Sequence, residues 1–304
     1  MRVILYDHKR QWRKVMESLA EGVRRFNHET EIANEEDYTG PTARDVVVTI
    51  EWGDNIQKIH DDQHARGKPT IAIDDAYLMR RGKNRYYGIA RNERYAFGDY
   101  PPVESAPPDR WASLGLELAP WRADGTHVLI ADQGIRKLLA DRSWAYDEDG
   151  HFPHLSKGWE RHVLSVLHKI TKRTVRFRTH PLHRDAREWF EKCRRIWLES
   201  GGPDEQLTFS PGNLSPLIDD LKGAWALITY GSNSCIESVI AGIPVFTGSR
   251  TMADAVGNKN LFDLESPAMP DRAHWSDWIA SAQWTEAEMR QGLPWKWLVE
   301  DYWK

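Results

Sequence analysis

The chain has 304 residues, of which 40% are hydrophobic and 28% are charged, and its formal net charge is −4 at pH 7. This length allows two domains with separate cores, and the composition excludes an intrinsically disordered protein. The acidic balance also excludes a global positive field that would draw the whole molecule to nucleic acid or anionic membranes.

The N-terminus and the cysteines indicate a cellular compartment. The apolar run in MRVILYDHKR spans only about four residues, which is too short for the core of a signal peptide. No stretch approaches the roughly 20 apolar residues needed to cross a bilayer. Cys193 and Cys235 lie far apart, without the spacing of a metal site. We therefore expect a soluble protein in the reducing cytoplasm.

Strand and helix patterns alternate through the first part of the chain. Val3 to Tyr6 predicts a buried strand, and apolar residues recur at helical spacing from Trp12 to Phe26. The β-branched run from Asp45 to Ile50 predicts a second strand. A polar helix from about residue 55 to 65 and a strand from Thr70 to Ile73 follow. Strands separated by helices predict a parallel sheet.

Two breaks separate this part from the next. The proline-rich stretch YPPVESAPP begins at Tyr100, and PWRADG begins at Pro120, so we place a domain boundary near residue 122. The alternation then resumes, with predicted strands at residues 127–131, 175–179, 224–230 and 244–247.

The C-terminal thirty residues are rich in tryptophan. Six of the 15 tryptophans fall there, which predicts a helical segment docked onto the rest of the protein, or alternatively a set of stacking platforms for sugars or bases. The predicted organisation is a Rossmann-like domain over residues 1–122, a second over 123–274, and a helical segment over 275–304 packing back across both. Ligands should bind at the carboxyl ends of the strands, in a cleft between the domains.

The segment from Ala224 to Gly248, AWALITYGSNSCIESVIAGIPVFTG, carries the strongest chemical signal. A strand runs into Gly231-Ser232-Asn233-Ser234 and directly into a helix, which offers backbone N–H groups and hydroxyls to an anion such as a phosphate. Glu237, one turn into the helix, is placed to accept the hydroxyls of a ribose. Ser234 and Glu237 also have the spacing of a capping box, and local chemistry leaves both interpretations open.

The stretch from Asn213 to Phe246, with this G-S-N-S element and A-G-I-P-V, resembles the nucleotide-binding half of GT-B glycosyltransferases. It is most similar to bacterial sialyl-, polysialyl- and capsule (Kdo-type) transferases. Their Ser-Ser element corresponds to Ser232 and Ser234, which Asn233 separates here, and their His-Pro element to His180-Pro181. Their acidic pair corresponds to Asp74-Asp75, followed here by Ala76 instead of glycine.

The resemblance implies a GT-B fold and transfer of a sugar from a nucleotide-sugar donor, UDP- or CMP-linked, to a hydroxyl group. It implies an inverting reaction without a metal or other cofactor. His180 would stabilise the departing phosphate, and Arg178, in the same stretch, would contact the donor. A related epimerase or hydrolase, or a binding protein without activity that recognises DNA or a glycan, is the alternative.

Carboxylates at strand ends are candidate bases for the acceptor hydroxyl. Asp74 and Asp75 end a predicted strand, and a like-charged neighbour raises the basicity of a carboxylate. We favour Asp74 over Asp75, while a loop or capping role is the alternative. Glu51 and Asp54 compete with them for the role of base.

Further candidates follow the first strand of the second domain. Gln133 and Gly134 form a turn that we expect to approach the donor or the acceptor. The acidic run at residues 147–149 has no preceding strand and is interpreted as solvated surface, and His180 with His183 has no third metal ligand spaced to join it. We therefore expect no metal site.

A basic segment in the first domain is the one signal for nucleic acid. Six cations are interleaved with tyrosines there: Arg80, Arg81, Lys83, Arg85, Arg91 and Arg94. Such a pattern can follow a phosphate backbone and stack on bases, although basic runs are more often solvated surface. Residues 86–122 also resemble phage and bacterial transferase-like proteins. The acceptor is thus predicted to be a hydroxymethylated pyrimidine in phage DNA, with the enzyme in the host cytoplasm, or alternatively a glycan.

Overall fold

The computed structural model describes residues 1–302 except 8–11, 42, 51–53, 81, 83, 134–151 and 184. They form two compact units, which we call unit 1 (Met1–Leu116 with Arg272–Lys304) and unit 2 (Glu117–Asp271). A domain is a part of the chain that can fold alone, which the two compact units by themselves do not test. The domain limits predicted at residues 122 and 274 therefore stay predictions.

Strands and helices are numbered along the chain. The strands are β1 (Arg2–Asp7), β2 (Glu29–Asn34), β3 (Val46–Ile50), β4 (Thr70–Asp75), β5 (Tyr86–Arg91), β6 (His127–Ala131), β7 (Thr174–Arg178), β8 (Leu207–Ser210), β9 (Ala224–Thr229), β10 (Val245–Thr247) and β11 (Gln283–Thr285). The helices are α1 (Arg13–Arg24), α2 (Asp54–Ala65), α3 (Phe152–Ile170), α4 (Ala186–Glu199), α5 (Leu217–Leu221), α6 (Ser234–Ile240), α7 (Ala273–Ser281), α8 (Glu286–Gln291) and α9 (Leu293–Trp295), continued by a π-helical turn (Lys296–Glu300).

Unit 1 contains a sheet in the order β11-β5-β4-β3-β1-β2. The four strands β2, β1, β3 and β4 are parallel, as the alternation of strands and helices predicts. β5 is antiparallel to β4, and β11 is antiparallel to β5. The connection from β4 to β5 covers residues 76–85, which is shorter than the dozen or more residues of a parallel crossover, so β5 returns in the opposite direction.

The tryptophan-rich C-terminus belongs to the core of unit 1. Trp284, Trp295 and Trp297 are buried in the same cluster as the apolar faces of β1, β3 and α1. The docking expected from the sequence includes a strand as well as helices, since Trp284 lies on β11. Polar residues beside these tryptophans hid that short strand from the apolar pattern.

Unit 2 contains five parallel strands in the order β10-β9-β6-β7-β8. If β6 to β10 are numbered 1 to 5 along the chain, their order in the sheet, read from the β8 edge, is 3-2-1-4-5. This is the strand order of a Rossmann fold. Strands β6 and β9 have entirely buried side chains, because helices cover both faces of such a sheet. The two α/β units, with a mostly parallel sheet in unit 1 and an all-parallel sheet in unit 2, confirm the predicted fold class.

Two further observations concern the whole described chain. No helix in these residues is long and apolar enough to span a membrane. Cys193 and Cys235 are both buried free thiols.

The contact between α1 and α8 gives a test of how the C-terminal segment is held. A Cβ on Gly22 of α1 would lie 1.9 Å from the carbonyl oxygen of Met289. We expect Gly22→Ala to lower the free energy of unfolding by about 2 kcal/mol, because backbone must move to admit the methyl group. The matched control is Glu21→Ala, an exposed neighbour on the same helix, which should change it by less than about 0.5 kcal/mol in urea titrations. Equal effects of the two substitutions would contradict this packing.

Candidate donor site at the strand switch point of unit 2

The strand order of unit 2 places a site between β6 and β9. Successive connections lead from β6 towards β7 and β8 on one side, while β9 and β10 lie on the other side. In open parallel sheets, ligands bind outside the carboxyl ends of the strands at this reversal of order. The residues that follow β6 are Asp132 and Gln133, and those that follow β9 are residues 230–234.

Gly231 and Gln133 meet at this point. A Cβ on Gly231 would lie 3.3 Å from Oε1 of Gln133 and 3.8 Å from Cβ of Ser249, which follows β10. The loops after β6, β9 and β10 therefore converge. Because Gly231 has no side chain, the backbone at this position can lie close to Gln133. The Oε1 atom of Gln133 is buried and accepts no hydrogen bond. Gly134 lies outside the described residues.

The G-S-N-S turn uses several of its own amides. The N–H of Ser232 donates to Oγ1 of Thr229 at 3.3 Å, and the N–H of Ser234 donates to Oγ of Ser232 at 3.3 Å. The N–H of Cys235 donates to the carbonyl of Ser232 at 3.1 Å. The sequence predicted that these backbone N–H groups would be available to an anion. For these three amides the prediction is wrong, because each donates a hydrogen bond to Thr229 or Ser232.

The groups that this turn can offer to a ligand are therefore mainly side chains. Ser234 is buried, 9% exposed, and its Oγ has no hydrogen-bond partner within the protein. Helix α6 begins at Ser234 with Asn233 at the N-cap and no side-chain capping bond, so the capping-box interpretation is wrong for Ser234. Glu237 lies exposed on α6, and Ser232 and Asn233 are half-buried.

His180 lies two residues after the end of β7, at the carboxyl edge of the sheet. Its Nδ1 accepts the N–H of Leu182 at 3.2 Å, and its carbonyl accepts the N–H of His183 at 2.9 Å. A ring nitrogen that accepts a hydrogen bond carries no proton, so in this arrangement the proton of the imidazole is on Nε2. The Nε2–H is thus the donor of this ring at the carboxyl edge of the sheet.

Arg178, at the end of β7, is engaged within unit 2. It is 5% exposed, and its Nη1 lies 2.5 Å from a carboxylate oxygen of Asp220. Its Nη2 donates to the carbonyl oxygens of Ser215 at 2.7 Å and Gly212 at 3.2 Å. The guanidinium thus ties the residues after β8 to the end of β7, and its donor-binding role stays a prediction.

A buried carboxyl that the sequence analysis did not select lies on α3. Glu160 is 5% exposed, and its Oε1 has no hydrogen-bond partner. Burial and the nearby charge of Asp132 raise the pKa of Glu160 to about 8. Its position three and four residues before the buried Val163 and Leu164 could have revealed it, because a carboxylate on the apolar face of a helix needs an explanation.

A cation at the end of β10 was also missed. Nζ of Lys259 donates to Oγ1 of Thr247 at 2.7 Å, to the carbonyl of Ser249 at 2.7 Å and to Asp254 at 2.8 Å. Nothing in the sequence around Lys259 distinguishes it from a surface lysine, and the bridge between Asn258 and Phe246 of β10 brings it near the converging loops.

The acidic pair lies in unit 1, and both carboxylates have cationic partners. Asp74 accepts from Nη1 of Arg94 at 2.5 Å and from the hydroxyl of Tyr95 at 2.8 Å. Asp75 pairs with Arg85 at 2.5 Å. These contacts fix the orientation of Asp74, whose role as base stays a prediction. Glu51 lies outside the described residues, as does the side chain of Asp54.

The described arginines of the basic segment have partners inside unit 1. Arg94 is 8% exposed, and burial lowers the pKa of Arg91. The guanidinium of Arg85 lies 4.9 Å from the ring centroids of both Trp12 and Tyr87. Arg80 donates to the carbonyl of Tyr77 at 3.3 Å. Arg81 and Lys83 lie outside the described residues.

Among the described residues, no group of three or more His, Cys, Asp or Glu side chains is arranged to hold a metal ion. The acidic run at residues 147–149 lies outside them.

Two solved structures from Thermosulfurimonas dismutans resemble this chain. The β-Kdo 2,4-transferase of KpsC has a TM-score of 0.50 at 12% identity, covering 91% of this chain and 89% of its own. The β-Kdo 2,7-transferase of KpsC has a TM-score of 0.51 at 11% identity, covering 97% and 99%. No family model and no curated protein matches the chain. The likeness confirms the predicted resemblance to GT-B proteins at the level of fold.

The ion pair of Arg178 yields a prediction that separates structure from ligand binding. We expect Arg178→Met to lower the free energy of unfolding by about 3–5 kcal/mol, because it leaves Asp220 buried without its closest cation. Arg176→Met is the matched control, since Arg176 also contacts Asp220, at 3.3 Å, but is more exposed. Its cost should stay below about 1 kcal/mol. Unchanged stability of Arg178→Met in urea titrations would contradict the structural role.

The pKa of Glu160 predicts how stability depends on pH. Its ordinary value is 4.5, so between about pH 4.5 and 8 the unfolded chain ionises this carboxyl while the folded protein keeps it protonated. The free energy of unfolding should therefore fall as pH rises through this window, by at most about 1.4 kcal/mol per pH unit. Urea titrations of wild type and Glu160→Gln at several pH values isolate this slope, which the variant should lack. Parallel curves for the two proteins would show that Glu160 titrates normally.

Proposed function

We propose that this protein is a glycosyltransferase that binds a nucleotide-sugar donor at the switch point of unit 2. The observation that carries the proposal is the convergence of Gly231 on Gln133 between β9 and β6, with the Oγ of Ser234, in the turn that begins at Gly231, buried and unpartnered. A buried hydroxyl without a partner is costly, and a ligand oxygen would satisfy it.

The roles within the donor site follow from the positions of the side chains. Ser232, Asn233 and Ser234 would contact the phosphates, and Glu237, exposed on α6, would accept ribose hydroxyls. The Nε2–H of His180 would stabilise the phosphate oxygen that leaves when the bond to the sugar breaks, so that no metal is required for this task. The donor nucleotide is UDP or CMP in this proposal.

The acceptor we favour is the hydroxyl group of a glycan. Phosphate contacts need accessible cations, whereas Arg94 is buried against Asp74 and Arg85 is paired with Asp75. A hydroxymethylated pyrimidine in DNA is therefore the less supported acceptor. Asp74 is the proposed base, with the inverting outcome that this implies.

The donor site is tested by removing the unpartnered hydroxyl. Ser234→Ala should leave stability unchanged or slightly raised, because no hydrogen bond within the protein is lost. It should weaken binding of UDP or CMP about tenfold or more, since a hydrogen bond to a charged group is worth about 1.5–3 kcal/mol. Calorimetric titrations with UDP, CMP and GDP measure the affinity.

The matched control is Ser238→Ala, which removes a second buried and unpartnered hydroxyl one turn further along α6. Its nucleotide affinity should equal that of the wild type. Equal losses in both variants, or no nucleotide binding by the wild type at millimolar concentration, would refute the donor site.

Transfer is then distinguished from hydrolysis or epimerisation by its dependence on an acceptor. With the sugar conjugate of the nucleotide that binds, a transferase releases free nucleotide faster when a glycan acceptor is added, and the sugar appears on the acceptor. Release at the same rate without acceptor would identify a hydrolase, and an altered sugar still linked to nucleotide would identify an epimerase.

A further inference from the structure

Glu160 lies where α3 approaches the carboxyl edge of the unit 2 sheet. The residue before it, Trp159, makes an edge-on contact with Tyr230, with ring centroids 5.8 Å apart. Tyr230 directly precedes Gly231 at the end of β9. Asp132, whose charge acts on Glu160, directly precedes Gln133 at the end of β6. Trp159 thus holds this part of α3 against the end of β9, and Glu160 lies close enough to the end of β6 to experience the charge of Asp132.

The surroundings of Glu160 favour its neutral form. Among the described residues it has no ion-pair partner, and the titratable groups that face it are Asp132 after β6 and Cys193 on α4. Burial together with both carboxyls raises the pKa of the Cys193 thiol, which is therefore uncharged. Nε2 of His183 lies 3.8 Å from Asp132, and Arg161, next to Glu160 on α3, is exposed. With a pKa of about 8, Glu160 is a neutral carboxylic acid at pH 7.

A neutral carboxylic acid is a hydrogen-bond donor, and in this protein its Oε1 has no partner. Such an acid attracts an anionic oxygen, whereas a buried carboxylate would repel it. Two more unpartnered buried atoms, Oγ of Ser234 and Oε1 of Gln133, lie at the same edge of the sheet. Polar groups of a ligand bound at this edge would satisfy such atoms.

We propose that Glu160 acts in its protonated form as a hydrogen-bond donor to a phosphate oxygen of the bound nucleotide. The inference rests on the proposed function, because it assigns one contact within the donor site. Glu160 is thus a binding residue whose ionisation controls donor affinity. The consequence is a nucleotide affinity that falls with rising pH, in a range where the nucleotide phosphate keeps a constant charge.

The test is calorimetric titration of the full-length protein with UDP and CMP from pH 7 to pH 9. With a pKa of about 8 in the free protein, the dissociation constant of the wild type should rise about tenfold across this range. Glu160→Gln keeps an N–H donor without a titrating proton, so its dissociation constant should change less than twofold. Glu199→Gln, at an exposed position on α4, is the matched control and should follow the wild type.

Proton uptake by the wild type provides a measurement that needs no variant. At pH 8.5 most of the free protein carries ionised Glu160, so binding should take up more than half a proton per nucleotide, seen as different heats in buffers of different ionisation enthalpy. Nucleotide binding without proton uptake, or an equal pH dependence in Glu160→Gln, would overturn this inference alone. No binding of either nucleotide at any pH would overturn the proposed function and this inference with it.

Discussion

Parallel hydrogen bonding between β6 and β9 joins two parts of unit 2 that are far apart in sequence. His127 to Ala131 pair with residues 224–229, and β7 with β8 extends the sheet on one side while β10 extends it on the other. Every strand therefore ends at the same edge, where the loops after β6 and β9 have to share one space. The Gly231–Gln133 contact and the positions of His180, Ser249 and Glu160 all depend on this pairing.

The polar side chains near this edge fall into two groups. Arg178 has its guanidinium bonded to Asp220 and to backbone carbonyls, which is the state expected of a buried structural charge. Ser234, Gln133 and Glu160 each have a buried atom without any partner in the protein. Such atoms are costly in a folded protein, and a ligand at this edge would satisfy them. Asp74 differs from them, because both of its carboxylate oxygens have partners, in Arg94 and Tyr95.

The apolar runs predicted most of the parallel strands, because a strand buried on both faces must consist of such residues. Apolar runs did not reveal β2, because its position at the edge of the sheet allows the polar sequence ETEIAN. They also did not reveal β5, which ends at the cation Arg91. Within the site, the sequence indicated Ser234 and His180 through a short motif. The sequence did not indicate Glu160 or Lys259. Glu160 is distinguished by its proximity to Asp132, and Lys259 by its contact with Ser249, and both neighbours are distant in sequence or unremarkable in it.

Hydrogen–deuterium exchange with and without a nucleotide shows where in the protein the nucleotide binds. If the donor occupies the switch point, saturating UDP or CMP should slow amide exchange in the peptides that cover residues 229–240, 129–133 and 178–183. Peptides from β1 to β3 in unit 1 then exchange at unchanged rates and serve as an internal reference. Protection confined to unit 1, with residues 229–240 unaffected by a bound nucleotide, would contradict the account.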